Sequence, residues 1–399
     1  MRSREKRLEI GVLYGFRALM VLFVANYHIW QQSWLWQSVT LGGEKIDFDF
    51  FTRSSYLFVD GMILLSGFLL FLPYARQRQE GTLAPGPGRF YLNRLKRIVP
   101  SYLAAVLLTL TCIALPQNLF LDRRAMVKDV AAHLTFTQVF WPETYIHTPL
   151  NVALWTIAVE MQYYALFPWL ARWAQKRPAP VLAGMALLSW GYRAGVYRFA
   201  TAPAMLINQL PAFLDVYALG MLGAMAYCGA RRGLSRLGKK GRMSVAWICA
   251  AVFACGVWLV LEILRIQSDV SLQGYDAMQR NQLALRLPLA LCLLATMLSA
   301  AFMPRLLQKL LSNRLTRFFS TISMNLYIWH QVLAVEMRKA WFGDAEALHA
   351  SLSQQQAYTA LSFSVAVLAA MAFTYGLEKP AALGLEKLAD RKRRQRQTG

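Results

Sequence analysis

Ten stretches of about twenty mostly apolar residues recur along the chain. They lie near 13–34, 55–75, 98–116, 150–173, 180–199, 207–228, 244–264, 283–303, 318–338 and 356–377. A helix rises about 1.5 Å per residue, so roughly 20 such residues match the hydrocarbon core of a bilayer. The composition agrees: 56% of residues are hydrophobic, only 16% are charged, and mean hydropathy is +0.33. Soluble domains carry about 25% charged residues. These figures exclude a disordered chain, a secreted disulfide scaffold and a simple cytosolic enzyme. They predict an all-α integral membrane protein with about ten transmembrane helices. The stretch 128–141 is too short and polar to span, and reads as an interfacial or re-entrant segment. The first run continues to Trp34 and Trp36 without a small-residue cleavage site, so it reads as a span rather than a signal peptide.

A net charge of +22 would suggest nucleic-acid binding in a soluble protein. Among spans, the placement of the charge decides. With the N-terminus cytoplasmic, thirty of the forty-three Lys and Arg fall on that side: residues 2–7, the loops within 76–97, 172–177, 231–242 and 305–317, and a basic tail at about 379–399. That asymmetry places both termini in the cytoplasm. Arg17 then lies inside the membrane, and the other twelve cations on or near the opposite side. Topology and anionic lipid account for the excess, with no nucleic-acid partner required. Cys112, Cys228, Cys249, Cys255 and Cys292 are odd in number and form no CxxC, so neither a disulfide framework nor a metal site is indicated. No internal repeat or appended soluble domain is evident, and 1–399 reads as one membrane domain.

Ionisable residues within spans are costly unless they face a cavity or a partner. Arg17 and His28 are eleven residues apart, which returns to nearly the same helix face roughly 16 Å further along. Asp60 precedes Ser66-Gly67-Phe68, and Trp155, Thr156, Glu160, Tyr163 and Tyr164 share the fourth run. Asn325, Tyr327, Trp329 and His330 share the ninth, and Asp215 lies in the sixth. Helical rise from Leu150 puts Glu160 at about the depth of His28. A His, carboxylates and an Arg at converging depths suggest a reaction or transport site rather than packing alone. Arg94 and Arg97, at i and i+3, share a face suited to bidentate phosphate capture, or to anchoring the helix at the cytoplasmic surface.

Six motifs in order resemble the acyltransferase 3 family of integral-membrane acyltransferases. They are Arg17 with His28 after ten residues; Asp60–Phe68, DGMILLSGF; Arg94–Pro100, RLKRIVP; Trp155–Pro168, WTIAVEMQYYALFP; Ser323–His330, SMNLYIWH; and Glu378-Lys379-Pro380. Thr156 stands where the family usually has Ser and Met324 where it has Tyr, and Gly61, Met62 and Ile63 replace a more aromatic run. These departures bear on the acceptor more than on the activity class.

The resemblance implies transfer of an acyl group, most simply acetyl, from cytosolic acyl-CoA to a hydroxyl of an extracytoplasmic glycan, in a bacterial plasma membrane. It implies no metal and no permanently bound cofactor. Arg17, Arg94 and Arg97 would hold the donor phosphates, and His28 would be the general base, with Glu160 as first and Asp60 as second choice of carboxylate partner. Trp155 and Tyr163 would stack on a sugar, with Ser66, Tyr327 and His330 as further acceptor or supporting residues. Membrane lipids and a second copy of the chain complete the expected partners. The competing expectation is a proton-coupled transporter or lipid-intermediate flippase that uses the same buried groups.

Overall fold

The computed structural model describes residues 10–343 and 347–386. The basic residues expected at 2–7 and from Lys387 onward lie outside the described residues. The chain opens with α1 (Val12–Ser33), followed by a short hairpin of β1 (Ser38–Leu41) and β2 (Glu44–Asp47), then α2 (Asp49–Ser54) and α3 (Phe58–Glu80). Next come α4 (Pro87–Thr109), α5 (Arg123–Leu134), α6 (Trp155–Lys176), α7 (Pro178–Phe199) and α8 (Leu214–Arg236). The remainder is α9 (Lys239–Ser271), α10 (Tyr275–Phe302), α11 (Arg305–Leu311), α12 (Arg314–Phe342) and α13 (Leu352–Phe373), with a π-helical turn at Thr374–Glu378.

Each expected run lies largely within a long helix, so the all-α reading holds. Among the described residues, seven helices are long and apolar enough to cross a membrane. Those built on α6, α7 and α12 have the length but more polar faces. Two boundaries differ in ways that matter for the site. Helix α4 starts at Pro87 after an extended Gly86, a strong start signal, eleven residues before the apolar run begins. Arg94 and Arg97 therefore sit inside a helix, two to three turns from its start. Helix α6 starts at Trp155 rather than at Leu150, because the Asn151 side chain accepts from the Ala153 N–H and caps a separate 3₁₀ turn. The stretch 128–141 holds the second half of α5, which is capped where Asp122 accepts from the Ala125 N–H, and a 3₁₀ turn at Gln138–Phe140.

The β1–β2 hairpin is not anticipated by hydropathy. Its signal is Gly42-Gly43, both at positive φ (+61° and +88°), between runs that pair Val39 with Ile46. Two central residues at positive φ suit a tight two-residue hairpin turn.

In the core, α1 packs on α12 and α3, α3 on α8, α9 on α10 and α12 on α13. The α3–α8 contact brings backbone against backbone. A Cβ added to Gly67 would lie 2.6 Å from the Tyr217 carbonyl oxygen, and no low-energy adjustment relieves a clash with backbone. Gly67→Ala is therefore expected to lower the midpoint of thermal unfolding in detergent, whereas Gly184→Ala, in open space on α7, should not. Equal midpoints for the two variants would contradict this close approach.

Candidate active site

Five helices converge on one cavity of about 150 Å³. Arg17 comes from α1; Ser66 from α3; Arg94 and Arg97 from α4; Thr156, Glu160 and Tyr164 from α6; and Ser323, Met324 and Tyr327 from α12. The cleft follows α3 from Val59 to Leu70, a length of roughly 16 Å at helical rise. Three cations in one apolar-walled cleft repel one another unless anions share it. Glu160 supplies one, and its carboxylate accepts from the Tyr164 hydroxyl at 2.6 Å. The Arg94 guanidinium lies over the rings of Phe90 (5.9 Å) and Tyr164 (6.0 Å), while its buried Nε has no partner. A guanidinium held by aromatic faces with an unspent donor is suited to an anion.

The closing Glu378-Lys379-Pro380 motif reaches the same place. The π-helical turn after α13 sets the Glu378 carboxylate to accept from the Asn325 amide at 2.8 Å, and Asn325 also donates to Thr374 at 2.9 Å. Glu378 is within electrostatic reach of Arg97 and Arg17. Asn325 and Glu378 thus border the arginine cluster. Sequence reasoning placed both in motifs without giving either a role.

His28 is outside this cavity and behind its wall. Tyr327 lines the cavity, His330 lies one turn further along α12 with ring centroids 5.4 Å apart, and His28 lies against His330 at 5.1 Å. His330 is buried, with Nδ1 2.7 Å from the Tyr327 carbonyl oxygen; it donates there, and Nε2 is left without a partner. His28 Nδ1 is 2.9 Å from Gln31 Oε1, and the Gln31 amide donates to the Tyr27 hydroxyl at 2.9 Å. Gln331, Val332 and Val335 of α12 line a second cavity of about 210 Å³, together with Thr148 and Asn151. Helix α12 thus carries residues of both cavities, and neither imidazole lines either of them.

Neither expected carboxylate partner meets His28. Glu160 faces the arginines and Tyr164: equal depth along two helices does not determine facing, and opposite charge in a weakly polar cleft does. Asp60, in the first turn of α3, accepts from Arg286 Nε of α10 at 3.1 Å, with both side chains buried. Arg286 also donates to the Ile207 and Ala212 carbonyls and lies 4.0 Å from the Phe213 ring. Asp215 of α8 binds Arg193 of α7 and accepts from Ser189 and Trp190. Charge counting had placed Arg193 and Arg286 among the twelve cations on or near the opposite side. The available signal was their position inside the fifth and eighth apolar runs.

The two aromatic candidates for sugar stacking are also engaged within the protein. Tyr163 is fully buried with its ring on Tyr217 at 3.6 Å, and Trp155 stacks on Phe213 at 6.0 Å. Ser66 remains at the cavity wall beside Tyr164.

A family model described as an acyltransferase domain, that of the acyltransferase 3 family, matches residues 12–377. The chain is 31% identical over 195 residues to "Protein 2 in picA locus" of Rhizobium radiobacter, covering 44% of this chain and 91% of that protein. It is 29% identical over 170 residues to O-acetyltransferase OatA of Staphylococcus aureus strain NCTC 8325 / PS 47, covering 39% of this chain. That match spans about a quarter (24%) of OatA's own length. No solved structure matches. With nearly all of its helical residues inside the matched region, the chain belongs to the acyltransferase 3 family.

Proposed function

We propose that this protein is a multi-pass enzyme of the bacterial inner membrane that moves an acetyl group from acetyl-CoA to a hydroxyl of an extracytoplasmic glycan. The reading rests on one observation: Arg17, Arg94 and Arg97 converge from two helices on a cleft whose end wall, Tyr327, adjoins His330 and then His28. The arginines suit the phosphates of the donor, and the cleft suits an extended pantetheine arm that carries the thioester toward Tyr327. In this reading the arginine end faces the cytoplasm, with ten spans and both termini on that side. The name of the relative OatA supports acetyl as the acyl group.

In this reading the acceptor hydroxyl approaches His28 from the extracytoplasmic side. As its oxygen bonds to the thioester carbonyl carbon, His28 Nε2 takes the hydroxyl proton. When the C–S bond breaks, that proton passes to the departing thiolate and CoA leaves as the thiol. Atoms and charge balance without a metal or a redox partner. Transfer of labelled acetyl from acetyl-CoA by the purified protein to cell-surface glycan tests the reading directly. Absence of transfer together with proton-coupled substrate movement in vesicles would return the chain to the transporter expectation.

The donor half has its own test. Replacing Arg94 and Arg97 together with Gln should weaken CoA binding by roughly 10²–10⁴-fold, since each of the two charge-assisted hydrogen bonds to an anion contributes about 1.5–3 kcal/mol. Dephospho-CoA binding should weaken less. Calorimetric titration giving unchanged CoA affinity would leave the pair as a helix anchor.

A further inference from the structure

We propose that Gln31, held by Tyr27, is the positioning residue for His28. It keeps the imidazole in the tautomer that carries its proton on Nδ1 and its lone pair on Nε2. The role rests on the reading of His28 as the base, but the geometry stands on its own. Tyr27, His28 and Gln31 are on one helix at spacings of i+1, i+3 and i+4, so the side chain of Gln31 rises beside both others. The Gln31 amide donates to the Tyr27 hydroxyl at 2.9 Å. With Nε2 turned to Tyr27, the end of the amide that faces His28 is the carbonyl oxygen Oε1, which can only accept. At 2.9 Å it takes the Nδ1 proton, so Nε2 carries the free lone pair.

The choice of an amide has a physical reason. A carboxylate in this place would face a neutral imidazole in the resting state and stay buried without a counter-ion, which costs several kcal/mol. Both carboxylates that could have filled it are engaged elsewhere, Asp60 by Arg286 and Glu160 by Tyr164. Gln31 orients the ring without bringing a charge into the bundle. The other titratable groups in ring contact with His28 are His330 from α12 and Tyr27 from its own helix. His330 has its own Nδ1 engaged by the Tyr327 carbonyl oxygen, so it does not compete for Gln31.

The test reads the tautomer first and turnover second. In full-length protein labelled with ¹⁵N-histidine, with the His28 signals assigned by their loss in His28→Ala, the resting enzyme should show a protonated Nδ1 and an unprotonated Nε2. Gln31→Leu should turn this into a tautomer mixture and lower kcat for acetyl transfer about tenfold or more, with the acetyl-CoA KM nearly unchanged. Gln31→Glu should keep the Nδ1-protonated form and move the acid limb of the pH–rate profile to higher pH, since the added negative charge holds the imidazolium longer. Tyr27→Phe should give part of the Gln31→Leu effect.

A resting His28 protonated on Nε2, or a tautomer indifferent to Gln31→Leu, would overturn the assignment. So would an acid limb that Gln31→Glu leaves in place. If the tautomer responds as expected while His28→Ala retains transfer, the positioning role stands and the base assignment falls.

Discussion

His28→Ala should abolish acetyl transfer while CoA binding persists. A positioned general base contributes about 10²–10⁴-fold, and no neighbouring group can substitute in place. His330 is the nearest candidate, but it is buried and its ring is fixed by the Tyr327 carbonyl. His28 is outside the arginine cavity, separated from it by Tyr327 and His330, so its removal leaves Arg17, Arg94 and Arg97 as they are. The informative pair of measurements is turnover and CoA affinity on one preparation. Turnover within a few-fold of the unaltered protein would remove His28 from the chemistry. A parallel loss of CoA affinity would instead show that the imidazole supports the donor cleft.

Asp60→Asn should act on the fold rather than on the proton transfer. The substitution keeps the shape but leaves Arg286 charged and buried, and breaking such a pair costs about 3–5 kcal/mol. Arg286 would retain its two carbonyl contacts and the Phe213 ring, none of which cancels its charge. Replacing both members is far better tolerated than replacing one. The double variant Asp60→Asn with Arg286→Met should therefore recover much of the thermal stability in detergent that the single variant loses. An Asp60→Asn protein that unfolds at the original temperature yet turns over slowly would return Asp60 to the reaction. Asp215 and Arg193, joined to Ser189 and Trp190 on helices that pack beside the first pair, should behave as a second pair of the same kind.

The helices were legible in the sequence because their hydrogen bonds are local, four residues apart, and their apolar lengths are set by the hydrocarbon they match. Arg17 and His28 on one face, and Arg94 beside Arg97, were legible for the same reason: helical spacing alone relates them. The Tyr27–His28–Gln31 set was equally local, yet it escapes a search confined to charged groups, because its key member is a neutral amide. The Gly42-Gly43 turn was visible as a turn signal but overshadowed by hydropathy.

Pairings between distant segments are a different matter. Asp60 meets Arg286 across 226 positions, and Asn325 meets Glu378 across 53. Depth along a helix follows from counting residues, but the direction in which a side chain faces its neighbours depends on how each helix rotates and crosses the others. Packing of Gly67 against the Tyr217 backbone and neutralisation of each buried charge set those rotations together. Residue types and spacings therefore determined the helices and the reactive groups they carry. Only the tertiary structure decided that Glu160 faces arginines and that Asp60 is held by Arg286, because each outcome minimises unpaired charge over the whole bundle rather than within one helix.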